Sequence, residues 1–170
     1  MTPLTPGEPV PPLPLTMLDG GERTLGRRAP RWELLVVYRG RHCPRCKTYL
    51  AILDRRLAEF DALHTDVVVT SCDPAEKARA DREEFGWHFA LACELSVGQA
   101  RVLDLYVSTP ATPNETDRPF AEPGLVLVNP AGRVQVAARS NSASFRPDLA
   151  VVLDGIRGIQ ANGLPVRGLG

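Results

Sequence analysis

The sequence predicts a mixed α/β fold, a central sheet flanked by helices on both faces, with a hairpin at its amino-terminal end. Three observations carry that expectation. The runs Glu33-Leu34-Leu35-Val36-Val37-Tyr38 and Asp66-Val67-Val68-Val69-Thr70-Ser71 are apolar without alternation, as strands buried on both faces are. Between them Tyr49, Leu50, Leu53, Leu57 and Phe60 recur at three- and four-residue spacing, an amphipathic helix of about five turns. Near the end, Leu125-Val126-Leu127-Val128 and Arg133-Val134-Gln135-Val136-Ala137 flank Asn129-Pro130-Ala131-Gly132, a turn that closes an antiparallel hairpin. Strand–helix alternation implies parallel pairing, and the closing hairpin makes the sheet mixed.

The other elements follow in chain order. Pro3, Pro6, Pro9, Pro11, Pro12 and Pro14 crowd residues 1–14, and each fixes φ and removes a donor, so an extended arm is expected there. Leu13-Pro14-Leu15 and Arg23-Thr24-Leu25, separated by Asp19-Gly20-Gly21, read as a short edge hairpin. Asp73-Pro74 reads as a cap followed by Pro at the first helical position, opening a polar helix to about residue 85. Ser96 caps a further expected helix carrying Val97, Ala100, Val102, Leu103 and Leu105. Pro110, Pro113, Pro119 and Pro123 make 109–123 a loop. A last helix from about Pro147 carries Leu149, Val152, Leu153 and Ile156, and a Gly-rich tail starts at 162. One domain over 15–161 is expected, between an arm (1–14) and a flexible tail (162–170).

Composition narrows the function. The 170 residues suffice for one well-packed domain. Twenty Lys and Arg balance twenty Asp and Glu, so nothing in the overall charge draws the chain to nucleic acid or anionic lipid. No apolar run approaches the roughly 18 residues of a membrane span. The first residues lack a basic and apolar secretory pattern, so a cytoplasmic location is expected. In that compartment a close pair of cysteines reads as redox or metal chemistry before it reads as a structural staple.

That pair is Cys43-Pro44-Arg45-Cys46, between the first buried strand and the amphipathic helix. With Cys43 at the N-cap and Pro44 at the first helical position, the missing proline N–H costs nothing. The unpaired N–H groups and the dipole of the helix then favour thiolate over thiol at Cys43. Arg39, Arg41, Arg45 and Lys47 add positive charge of the same effect. Two intervening residues bring both sulfurs into one helical turn, where a disulfide can form and be attacked again. Zinc would ask for a second ligand pair, and Cys72, Cys93, His42, His64 and His88 are not spaced to supply one, so no metal is expected. Cys72 and Cys93 read as small buried side chains, with a resolving role as the alternative. His42 reads as a solvated loop residue, with proton donation as the alternative. Trp32, Trp87 and Phe89 read as packing residues.

The chain resembles the thioredoxin-fold redoxins, and among them the peroxiredoxin-like AhpC/TSA family. The resemblance runs over residues 7–160. It rests on Gly7-Glu8-Pro9-Val10-Pro11 through Asp19-Gly20, on Val37-Tyr38-Arg39-Gly40-Arg41-His42-Cys43-Pro44-Arg45-Cys46, and on Pro123-Gly124-Leu125-Val126-Leu127-Val128-Asn129-Pro130-Ala131-Gly132-Arg133. It implies a thioredoxin-like fold and thiol redox chemistry. Thioredoxin-like reductases set a cis-proline against the C-x-x-C, six residues before a turn-opening Asp or Asn. Counted back from Asn129 that position is Pro123, which would line the substrate groove. Typical peroxiredoxins carry Arg there and a P-x-x-x-T-x-x-C loop. On that loop this chain has Arg39 for the Pro, Cys43 for the Thr, and Cys46 at the peroxidatic position.

The expectation is therefore a thiol–disulfide oxidoreductase, with Cys43 as nucleophile and Cys46 resolving. It needs no cofactor beyond the dithiol and an external thiol reductant, such as a cytosolic dithiol donor. Its substrates would be protein or small-molecule disulfides. Hydroperoxide reduction through a sulfenic acid, and a non-catalytic redox sensor, are the alternatives. The resemblance makes a homodimer plausible.

Overall fold

The computed structural model describes residues 4–169; the expected arm and tail extend beyond these at residues 1–3 and 170. The main sheet has seven strands: β1 (Leu13–Met17), β2 (Glu22–Leu25), β3 (Trp32–Val37), β4 (Thr65–Thr70), β5 (Ala90–Cys93), β8 (Gly124–Val128) and β9 (Val134–Arg139). They lie in the order β2-β1-β5-β4-β3-β8-β9. Strands β3, β4 and β5 pair in parallel, while β8 lies antiparallel to β3 and β1 antiparallel to β5. A small separate ladder pairs β6 (Val107–Ser108) with β7 (Phe120–Ala121). The helices are α1 (Pro44–Arg55), α2 (Leu57–Ala62), α3 (Ala75–Phe85), α4 (Val97–Val102) and α5 (Leu149–Asn162). Among the described residues no helix is long and apolar enough to cross a membrane.

The unbroken apolar run of β3 serves two cores. Leu34 and Val36 join Leu50 and Leu53 of α1, Phe60 of α2 and Leu149, Leu153 and Ile156 of α5 on one face. Leu35 and Val37 join Val68, Val126, Leu103 and Phe120 on the other. Successive side chains of a strand point to opposite faces, so a central strand covered on both sides must be apolar throughout. The hairpin of β1 and β2 forms one edge of the sheet, as its turn residues predict. Ahead of it the chain lies along the start of β9, where Gly7 N–H meets Val134 O at 2.8 Å and Val134 N–H meets Glu8 O at 3.0 Å.

Several elements differ from expectation. The single five-turn helix is two, because Arg56 leaves helical geometry (φ −106°, ψ 6°) and the axis restarts at Leu57. Leu91, Ala92 and Cys93 are strand residues of β5, a short run whose periodicity is too brief to register. Helix α4 stops at Val102, where Asp104 takes a left-handed conformation (φ 56°) and Leu105 N–H bonds back to Ala100 O. Pro74 occupies the N-cap of α3 rather than its first turn, because the Asp73 carboxylate is committed to Arg41 N–H at 2.6 Å. Helix α5 begins at Leu149, capped by Asp148 at Ala150 N–H (2.7 Å).

One buried charge ties the helices to the loop after β3. Asp81 of α3 is fully buried and accepts from Arg41 at 2.6 Å and Lys47 at 2.8 Å, with the Tyr38 hydroxyl at 3.4 Å. Removing one partner of a buried pair leaves the others uncompensated. Asp81→Asn is expected to cost about 3 kcal/mol in urea unfolding; a loss under about 1 kcal/mol, the worth of a surface pair, would show that the network adds little.

Candidate active site

The site forms where β3 gives way to α1. Tyr38 N–H still pairs with Thr70 O at 3.0 Å, holding the exit of β3 against β4. The chain then turns at Gly40, whose φ of +128° favours glycine. A Cβ there would stand 2.7 Å from the Asp73 carboxylate, so the missing side chain is what lets that carboxylate reach Arg41 N–H. Cys43 N–H closes the turn on Gly40 O at 3.1 Å.

Cys43 is the N-cap of α1 and Pro44 its first residue, as the spacing predicts. The Cys43 sulfur accepts from Cys46 N–H at 3.3 Å, an end-of-helix donor with no intrahelical partner. All four cysteines are free thiols, and Cys43 and Cys46 lie side by side at the head of the helix. The neighbouring Cys46 thiol is the largest of the influences holding the Cys43 thiol down at about 6; burial opposes it, and Cys46 N–H, Arg39 and Arg146 assist. Cys46 moves the opposite way: burial, and the Cys43 sulfur beside it, push its thiol up.

The four basic residues of the motif region part company. Arg39 stays beside the pair, its guanidinium over the Phe120 ring at 4.7 Å and paired with Glu115 (2.9 Å) and Glu122 (3.2 Å). Arg41 faces α3 instead, bonded to Asp81 and Glu84 at 2.6 Å each. Lys47 is likewise turned to Asp81. Arg45 is exposed on the rim of the cleft that Cys43 lines. The other walls of this cleft are Arg39, Pro44, Glu122 and residues 141–144, a mostly polar surround. Cys43 is only 2% exposed and Cys46 wholly buried, so the cleft is the face from which Cys43 can be approached.

Pro123 is not on this cleft. It lines a small neighbouring recess with Ser140, Phe145, Arg146 and Pro147, and among the described residues no peptide bond is cis. His42 is not solvated: its ring tilts on Phe120 at 4.6 Å, and neither ring nitrogen, both buried, has a partner. Burial, with Arg39 nearby, lowers its pKa, so the ring is neutral at pH 7. Cys72 accepts from Ala121 N–H at 3.3 Å and Cys93 sits against Thr16 O; burial raises both thiols. No three His, Cys, Asp or Glu among the described residues cluster so as to hold a metal ion.

The residue that sequence reasoning missed is Arg146. It comes from the loop between β9 and α5 and places Nη2 2.6 Å from the Cys46 sulfur, with its guanidinium over the Tyr49 ring at 4.9 Å. The only local signal was a basic residue just before the Pro147-Asp148 helix start; the hundred residues separating it from Cys46 hid the contact.

The profile of the AhpC/TSA family matches residues 6–137, most of the chain. The chain belongs to the AhpC/TSA family. Solved structures agree on its fold. A peroxiredoxin-like protein from Aquifex aeolicus superposes with a TM-score of 0.78 at 14% identity, over 94% of this chain and 90% of the other. Peroxidoxin BcpB from Mycobacterium tuberculosis gives 0.74 at 18% identity, over 92% and 98%. Peroxiredoxin Q from Xanthomonas campestris gives 0.70 at 22% identity, over 86% and 90%. No curated protein is a significant match in sequence. The fold is thus thioredoxin-like, and this AhpC/TSA chain combines it with two cysteines at the head of α1.

The thiol of Cys43 is pulled down while burial raises those of Cys46, Cys72 and Cys93, so Cys43 is expected to react first. Iodoacetamide at neutral pH is expected to modify Cys43 first, with Cys46, Cys72 and Cys93 slower by about tenfold or more. Peptide mapping by mass spectrometry at partial modification checks this; equal labelling of Cys46 would overturn the assignment.

Proposed function

We propose that the protein is a thiol–disulfide oxidoreductase. The observation that carries this reading is the Cys43 sulfur at the N-cap of α1, facing a polar cleft and accepting the backbone N–H of Cys46, whose own thiol stands one helical turn on. The Cys43 thiolate attacks a substrate disulfide, and one substrate sulfur leaves as thiolate. Cys46 then attacks the Cys43 sulfur of the mixed disulfide, forming the Cys43–Cys46 disulfide and expelling the second substrate thiolate. An external dithiol donor, with no other cofactor, returns the pair to its reduced state. Arg39 supports the thiolate charge at close range, and Arg45 adds positive charge at the mouth of the cleft.

A second reading, hydroperoxide reduction, draws on different observations. Cys46 stands at the position the family resemblance makes peroxidatic, Arg146 lies 2.6 Å from its sulfur, and peroxiredoxins are among the structures of like fold. Against it stand the full burial of Cys46 and the replacement of the family's Thr and Arg by Cys43 and Pro123.

Assays of protein-disulfide reduction and of hydroperoxide consumption, each driven by an added dithiol, separate the two on the single-cysteine variants. Disulfide reduction by the wild type is expected, with none by Cys43→Ser and a trapped mixed disulfide on Cys46→Ser. Hydroperoxide turnover that survives in Cys43→Ser and vanishes in Cys46→Ser would overturn the proposal in favour of the second reading.

A further inference from the structure

Cys46 poses a problem for the dithiol cycle. It is fully buried, and burial together with the neighbouring Cys43 favours its protonated form. To resolve a mixed disulfide it must become an anion where water does not reach, and an uncompensated buried charge is costly. Some group must meet that charge.

Arg146 is built to do so. The loop that delivers it is tied by Ser140 and Ser142, with Ser140 Oγ donating to Ser142 O at 3.0 Å and Ser142 N–H donating to Ser140 Oγ at 3.0 Å. Tyr49 of α1 fixes the far end of the loop by donating its hydroxyl to Pro147 O at 2.9 Å, and its ring carries the guanidinium. The guanidinium has no carboxylate partner among the described residues, and its Nε is buried without an acceptor. Its directed contact is the Cys46 sulfur, at 2.6 Å. The other arginine beside the pair, Arg39, is already committed to Glu115 and Glu122.

We propose that Arg146 enables the resolving step, by meeting the charge on Cys46 once Cys43 has been joined to substrate. The inference rests on the disulfide-reductase reading. Part of what holds the proton on Cys46 comes from the charge on the Cys43 sulfur beside it. That part vanishes when Cys43 enters the mixed disulfide, whereas the Arg146 cation remains. Cys46 therefore keeps its proton while Cys43 is the nucleophile and gives it up when its own turn comes. The second step forms the Cys43–Cys46 bond and breaks the bond from Cys43 to substrate. The substrate disulfide takes two electrons and leaves as two thiolates, one of which takes the proton from Cys46.

Dithionitrobenzoate, whose leaving thiolate is coloured, reads the two steps separately. Reduced protein mixed with one equivalent of reagent is expected to release one equivalent of colour quickly, from attack by Cys43, and a second equivalent more slowly, from attack by Cys46. In Arg146→Gln the second phase should slow by about tenfold or more, because the lost charge acts at short range in a buried site. The first phase should slow by no more than about threefold, since other groups also hold the Cys43 charge. Far-ultraviolet circular dichroism of the variant, matching the wild type, reports that it is folded. Arg146→Lys should recover part of the second rate, which a merely structural loss would not allow. An unchanged second phase in Arg146→Gln, or equal slowing of both phases, would overturn the inference while leaving the dithiol cycle intact. Release of a single equivalent by the wild type would refute the cycle itself, and the inference with it.

Discussion

The first turn of an α-helix presents N–H groups that no carbonyl of the helix can satisfy. In this chain a sulfur answers one of them. The Cys43 sulfur accepts from Cys46 N–H at 3.3 Å, and Pro44 between them has no N–H to offer. An anion at that position is stabilised by the same groups that a neutral side chain would only cap. The second thiol strengthens the effect, since the Cys46 thiol beside it favours charge on Cys43 while its own pKa is pushed up. Capping, helix direction and redox chemistry are thus a single arrangement, and the rest of the fold serves to hold it.

The holding is done by charges that stand back from the sulfurs. Asp73 reaches beneath Gly40 to the Arg41 backbone, and Asp81 gathers Arg41 and Lys47 from the opposite side. These contacts fix the turn between β3 and α1 from α3 and the loop before it. They also explain why motif arginines that look alike do different work. Arg39 acts on the thiolate, Arg45 stands at the cleft mouth, and Arg41 braces the scaffold.

The parts legible in the sequence were those with a local physical cause. Buried parallel strands read as unbroken apolar runs, and β3 and β4 were found because of it. The cap at Cys43 is legible because Pro44 fits the first helical position, where its missing N–H costs nothing. Strand β5 was too short for a period to show, and the break at Arg56 interrupts a pattern whose apolar spacing continues across it. What could not be read was any pairing set by the three-dimensional path. Arg41 lies in the motif yet turns to α3, while Arg146 lies a hundred residues away and reaches Cys46. His42 looked like a loop residue, and only the approach of Phe120 reveals that both ring nitrogens are buried.

On the proposed reading, the two sulfurs at one helix start divide the labour: Cys43, on the polar cleft, is the thiolate, and the buried Cys46 is the thiol that resolves. The most direct test of that division is the ultraviolet absorbance of thiolate, titrated in the reduced protein from acid to alkaline pH with Cys43→Ser as reference. The difference signal should rise through a midpoint near pH 6 and be complete well before an ordinary thiol ionises. A midpoint at about 8.5, the value of an unperturbed cysteine, would contradict the account.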